Sequence, residues 1–208
     1  IAGGKVNLAR LLLPEEHRKY LYSSTNILRS GSGLSTCSSF HIGYKYAKLG
    51  YTAVFEPAVL PSNSRSAIIE MSDIPLIDKG TYTVLSNDDF LLKLIQKKSN
   101  QKKINDYVAW IIQSTKSLGI KIVNPGGINA FKFNQRELDL DEKNKKYNIT
   151  PRSILKILTK SLIDLKAPHP IHVHGCNLGV PGNVKTTLKQ INAVEGKPMH
   201  LTHIQYHS

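Results

Sequence analysis

The chain has 208 residues, 40% of them hydrophobic, and carries a formal net charge of +13. That size suits a single domain or part of one, since α/β barrels run to about 250 residues as one unit. Two cysteines, Cys37 and Cys176, are too few for a disulfide framework, and no apolar run nears the roughly 20 residues a membrane helix requires. The expectation is a protein of a reducing, cytoplasmic compartment with no membrane span. The chain opens Ile1-Ala-Gly-Gly-Lys-Val-Asn7 and stops at Ser208 directly after a strand-like run, so it reads as a fragment cut at both ends.

The excess of lysine raises the question of nucleic acid. Runs such as Lys97-Lys98, Lys102-Lys103 and Lys145-Lys146 lie in polar connectors and on outer helix faces, without an aromatic platform among them. A solvated surface is the expectation, ahead of docking to an acidic ligand, and no nucleic-acid partner is expected.

Residues 1–33 read as a long leading loop. From Leu34 to Leu49, Cys37, Phe40, Tyr44 and Ala47 follow the three-and-four spacing of an amphipathic helix, which Gly50 ends. Tyr51 to Pro57 is a strand and Gly80 to Leu85 the next. Asn87-Asp88-Asp89 opens a helix through Ile95. Ile104, Val108, Ile111 and Ile112 mark the buried stripe of another, leading into a strand from Ile120 to Val123. Asp139 to Asn148 is a polar excursion. Thr150-Pro151 joins a capping hydroxyl to a proline at the first helical position, and Ile154, Leu155, Leu158, Leu162 and Leu165 form that helix's core face. A strand from Ile171 to His174 follows. Then come a helix capped by Asn183 and carrying Val184, Leu188 and Ile191, a stop at Gly196, and a last strand-like segment from Met199 to His207.

Strands alternating with helices at this spacing imply a parallel sheet with crossover helices. The strands are short and apolar on both faces, and no charged strand marks an open edge, which favours a closed barrel over a doubly wound sheet. The fold expected is α/β, part of a (β/α)8 barrel, in one domain over residues 1–208.

Six of the eight histidines fall in residues 169–208. Active sites of parallel barrels lie at the carboxyl ends of the strands, and Lys121, His174 and His203 sit at or near such ends. Neutral imidazole is the commonest metal ligand, so His174 and His203 are candidate metal ligands. His172 shares a face with His174 and is a candidate partner for a ligand, whereas His200 and His203 are three apart and are not expected to share one. His169 and His207 read as ordinary hydrogen-bonded histidines, and Cys176 as a weak ligand candidate, poorly aimed past a glycine.

A lysine in a buried strand is costly as an ammonium. Nearby cations and burial favour the neutral amine, which can add carbon dioxide to become a carbamate. Such a carbamate offers two oxygens and can bridge two metals about 3.5–4 Å apart. The alternative is an amine that snorkels to solvent, and Lys132 is a competing lysine.

The run Gly119-Ile-Lys-Ile122 resembles the fourth-strand segment of urease-type and dihydroorotase-type amidohydrolases, where the lysine is carboxylated. Ile171-His-Val-His-Gly175 and Leu201-Thr-His-Ile204 resemble their fifth- and sixth-strand histidine motifs. Residues 1–7, Asn124-Pro-Gly-Gly127 and the runs His172 to Asn183 and His200 to His207 resemble, more specifically, the amidohydrolase-type subunit of formylmethanofuran dehydrogenase.

That resemblance implies a distorted (β/α)8 barrel, present here from its second strand to its sixth, with a dinuclear zinc centre. Lys121 would be the bridging carbamate, and His174 and His203 the ligands of one zinc. The family's first-strand His-x-His and eighth-strand aspartate are not in this sequence, so the fragment alone would be inactive. By resemblance, the full protein interconverts N-formylmethanofuran with formate and methanofuran in carbon dioxide fixation and methanogenesis. A sister subunit would reduce carbon dioxide to formate at a tungsten or molybdenum pterin. Lys5 and Arg65 are candidates to steer the carboxylate-rich tail of methanofuran. The alternatives are another amidohydrolase of dihydroorotase or hydantoinase type, a component of a bacterial formyltransferase/hydrolase complex, and a non-catalytic scaffold.

Overall fold

The computed structural model describes residues 39–127, 134 and 138–207. The leading loop, Cys37, Lys5 and Lys132 lie outside the described residues. Contacts cluster into two compact units, Ile1–Thr81 and Tyr82–Ser208.

In the first unit, helix α1 (Ser39–Lys48) precedes strand β1 (Ala53–Val59), a short 3-10 turn (Pro61–Asn63), helix α2 (Ser64–Ser72) and the start of strand β2 (Asp78–Val84). Strand β1 runs two residues later than the sequence expectation at both ends. Val54, Val59, Ala67, Met71, Ile74 and Ile77 form the core of this unit. The Asp78 amide donates to the Thr52 carbonyl at 2.8 Å, which sets the start of β2 beside the entry to β1.

The second unit continues β2 and adds α3 (Asp89–Gln96), α4 (Gln101–Thr115), β3 (Gly119–Val123), α5 (Pro151–Asp164), β4 (Ile171–His174), α6 (Val184–Ala193), β5 (Met199–Leu201) and a 3-10 turn (Ile204–Tyr206). Strand order in the sheet follows chain order, and β2 to β5 pair in parallel. Helices between successive strands are what parallel pairing demands, because the chain must return to the same end each time.

The helix starts are chemically determined. Asp88 accepts from the Leu91 amide at 2.8 Å, Asn100 from Lys103 at 2.9 Å, and Thr150 from Ser153 at 3.2 Å, each satisfying an otherwise orphaned donor. Ile104, Val108 and Ile111 of α4 and Ile154, Leu155 and Leu158 of α5 are buried with Ile120, Ile122, Ile171 and Val173 of the sheet. The expected stripes of α4 and α5 are therefore the core faces, with Ile112 and Leu165 at the margin.

Helix α6 departs from expectation. Asn183 has helical backbone angles and makes no side-chain cap bond. Its Nδ2 instead donates to the carbonyls of Asn177 and Tyr206, at 3.0 and 2.9 Å. Val184, Leu188 and Ile191 are exposed, while Thr187, Gln190 and Ala193 are buried. Ala193 joins the apolar core, whereas Gln190 meets loop backbone: its Oε1 accepts from the Cys176 amide at 3.1 Å.

The polar excursion after β3 is also built. Asn144, only 1% exposed, donates to the Gly126 carbonyl at 2.8 Å and accepts from the Lys146 and Tyr147 amides. It pins the loop that leaves β3.

Candidate functional site

The sheet register decides which side chains meet. Aligned residues of parallel strands point to one face, so Val84, Lys121, His172 and His200 form a row across β2 to β5. Lys121 is the third residue of β3, mid-strand rather than at the very end, and 2% exposed. Its Nζ lies 2.7 Å from His172 Nδ1 and donates to Thr202 Oγ1 at 3.1 Å. An ammonium has no acceptor, so His172 Nδ1 accepts and that ring carries its proton on Nε2.

Burial pushes Lys121 down to about 8, and burial followed by the Lys121 charge pushes His172 down to about 3. Both partners are thus driven toward their neutral forms. The same physics is what a lysine needs before it can act as a nucleophile toward carbon dioxide.

Around this pair the rings stack. Tyr82 lies over His172 with centroids 5.1 Å apart, and His172 over His200 at 4.5 Å. Gly119 leaves room beside the Tyr82 ring: a Cβ there would sit 3.1 Å from Tyr82 Cε1, so the ring would have to give by a few tenths of an ångström. His169 lies beside Tyr82 at 6.2 Å, near the start of β4 and away from its carboxyl end.

His174 closes β4, two residues after His172 and on its face, aligned with Val123. Its ring meets that of His203 edge to face, with centroids 4.9 Å apart. Burial, then the neighbouring His203, pushes His174 down to about 4; His203 is also lowered, first by burial and then by the Lys121 charge. Both imidazoles are therefore neutral near pH 7, the form that ligates metal.

The last segment corrects the sequence expectation. Strand β5 covers Met199–Leu201 alone, not Met199 to His207. Thr202 donates to the Val173 carbonyl through both its amide, at 3.0 Å, and its hydroxyl, at 2.9 Å. His203 then takes a left-handed backbone, φ 57° and ψ 41°, before the 3-10 turn. In a continuous strand, His200 and His203 would face opposite sides. The break turns His203 back, so that His200 stacks on His172 while His203 meets His174, both of them on one face of β4.

Cys176 is free and buried, and burial pushes its thiol up to about 12, which holds it as a neutral group rather than a thiolate ligand. Asn124 follows β3 with φ 37°, and its amide donates to the His174 carbonyl at 3.0 Å, tying the two strand ends together. Among the described residues, no group of three or more His, Cys, Asp or Glu side chains is placed to hold a metal ion. The structure pairs Lys121 with His172 and His174 with His203 along one face. Tyr82, His200 and Thr202 are contacts that sequence reasoning missed, and Gly119 before the lysine is the one signal in the sequence that hinted at a ring packed across β3.

No protein-family model matches the chain. FhcA, of the formyltransferase/hydrolase complex Fhc of Methylorubrum extorquens, is 36% identical over 208 residues, covering 100% of this chain and 37% of that protein. Protein FwdA of Methanocaldococcus jannaschii is 37% identical over 219 residues, again across 100% of this chain and 38% of the relative. The chain is a homologue of FhcA and FwdA. It spans under two fifths of the length of either relative. A chain of the formyltransferase/hydrolase complex (FhcABCD) of Methylorubrum extorquens, crystallised with methylofuran, superposes with a TM-score of 0.81 and 36% identity, over 96% of this chain and 36% of that one. The α/β architecture with its parallel sheet is thus shared with a relative of known structure. Among the described residues, no helix is long and apolar enough to cross a membrane.

Proposed function

We propose that this chain supplies part of a dinuclear zinc centre of amidohydrolase type, within a single (β/α)8 barrel domain of a longer, cytoplasmic protein of the FhcA and FwdA kind. The observation that carries the reading is the face shared by Lys121, His172, His174 and His203 at the carboxyl side of a parallel sheet. Lys121 is buried with its hydrogen bonds going to His172 and Thr202, neither of them a carboxylate, and all three imidazoles are held neutral.

The donor chemistry fits such a group in part. Neutral imidazoles of His174 and His203 would hold one zinc, and Lys121, as a carbamate, would bridge to the second. Two imidazoles and one lysine fall short of two complete coordination shells, so the remaining ligands are assigned to the rest of the protein. When bound, the metals would polarise the carbonyl of a formamide and lower the pKa of a water beside it. The residues of this chain act around that: His172 takes the hydrogen bond of Lys121, Thr202 fixes its Nζ, and Tyr82 and His200 cover His172 from either side.

For the whole protein we propose interconversion of N-formylmethanofuran with formate and methanofuran, alongside other subunits, one of which would carry the tungsten or molybdenum pterin. The two relatives are equally distant, at 36% and 37% identity, so a formyltransferase/hydrolase complex acting on a related furan is the second reading. Metal analysis and anomalous diffraction on the full-length protein test the first claim: two zinc ions per copy, one at His174 and His203, are expected. Formamide turnover by Lys121→Ala should fall by more than the about 10- to 100-fold that the outer partners of a metal ligand are worth. Zinc-free protein with full activity would end the proposal.

A further inference from the structure

The backbone left-handed turn that places His203 opposite His174 is held from outside, by a residue with no place in the proposed chemistry. His207 Nε2 lies 3.0 Å from the Thr202 carbonyl, and its Nδ1 lies 2.6 Å from Thr187 Oγ1 on α6. A carbonyl can only accept, so Nε2 carries a proton and donates to Thr202, while Nδ1 pairs with the Thr187 hydroxyl, a group able to donate or accept. The ring is a strut between α6 and the last residue before His203.

The other side of the site is tied to the same helix. Gln190, 0% exposed, accepts from the Cys176 amide, two residues past His174. A Cβ on Gly175 would come within 3.0 Å of Gln190 Nε2, so this glycine leaves room for Gln190 at the strand end, with His207 Cε1 next to it at 3.4 Å. Asn183, at the start of α6, donates to the Tyr206 carbonyl three residues after His203. His203 therefore sits between two anchored carbonyls, Thr202 and Tyr206, and α6 holds the loops after β4 and β5 together.

We propose that His207 is a positioning residue that fixes the His174–His203 separation, with Thr187 as its anchor on α6. This rests on the reading of those two histidines as ligands, but the test separates the two claims. In full-length protein stripped of metal, the crystal structure of His207→Ala should show the His203 ring drawn away from His174, beyond the 4.9 Å separation seen here. His207→Gln, whose amide nitrogen can still donate to Thr202, should restore it. Thr187→Val, which keeps the shape and removes the hydroxyl, should move His203 in the same direction and carries the test if His207→Ala does not fold.

In zinc competition against a chelator, His207→Ala and Thr187→Val should lose about tenfold in affinity, and His207→Gln should stay near wild type. A ring separation unchanged in both His207→Ala and Thr187→Val would overturn the positioning role. If the wild-type protein takes up no zinc, the metal reading falls, and the metal-free ring separation still decides the role of His207.

Discussion

Lys121 concentrates the energetics of the site in one side chain. Its ordinary value of 10.5 falls to about 8 through burial, so between those pH values the unfolded chain binds a proton that the folded chain does not. Stability must then rise with pH across that window, and the penalty for the buried ammonium is fully present below about pH 8. The span corresponds to at most about 3 kcal/mol. Metal-free Lys121→Met should lack this rise, so the difference in unfolding free energy between wild type and variant should shift in favour of wild type from pH 8 to pH 10.5. Parallel denaturation curves for the two proteins across that range would show that the amine is hydrated after all. Lys121 and His174 were legible in the sequence because strand periodicity states which face a residue takes. His172 as a partner for a ligand and His203 beside His174 were also expected, but not the atoms and rings each of them meets. The partner of His172 depends on register, and the side His203 takes depends on where β5 stops.

Helices α5 and α6 show when patterning reads truly and when it misleads. In α5 the cap, the proline and the apolar stripe all agree, and the structure bears out each of them. Replacing Thr150 by Ala should cost about 1 kcal/mol of stability in chemical denaturation, as the loss of a capping oxygen does. In α6 Val184, Leu188 and Ile191 are exposed while Thr187 and Gln190 are buried with Ala193, because the polar pair faces loop backbone whose groups need partners. Periodicity alone therefore ranks its residues in the wrong order. Gln190→Leu should be the damaging change, costing about 1–3 kcal/mol by leaving the Cys176 amide unsatisfied. Leu188→Ser, on the exposed side, should stay within about 0.5 kcal/mol. The opposite ranking would mean that α6 buries its apolar face instead.

At the scale of the whole molecule, the sheet gathers its chemistry on one face while the charge is spread everywhere. The +13 balance is carried by 28 lysines and arginines against 15 acids, and many of the described cations are exposed. Several are already paired locally: Lys156 with Glu195, Lys160 with Asp164, Arg152 with Asp141 and Lys189 with Asp139. Such surface pairs add little to stability, but they leave the net field positive, and a positive field reaches about 8–10 Å at moderate ionic strength. If the proposed furan substrate bears several carboxylates, that field raises its local concentration without any contact at the site. Arg65, exposed on α2 of the first unit, is a candidate contributor among the described residues. If the full-length protein turns over the formylated furan as proposed, its KM should rise steeply between low salt and about 0.5 M, where the Debye length shrinks to a few ångströms, while kcat stays level. A KM that ignores ionic strength would assign the lysines to solubility alone.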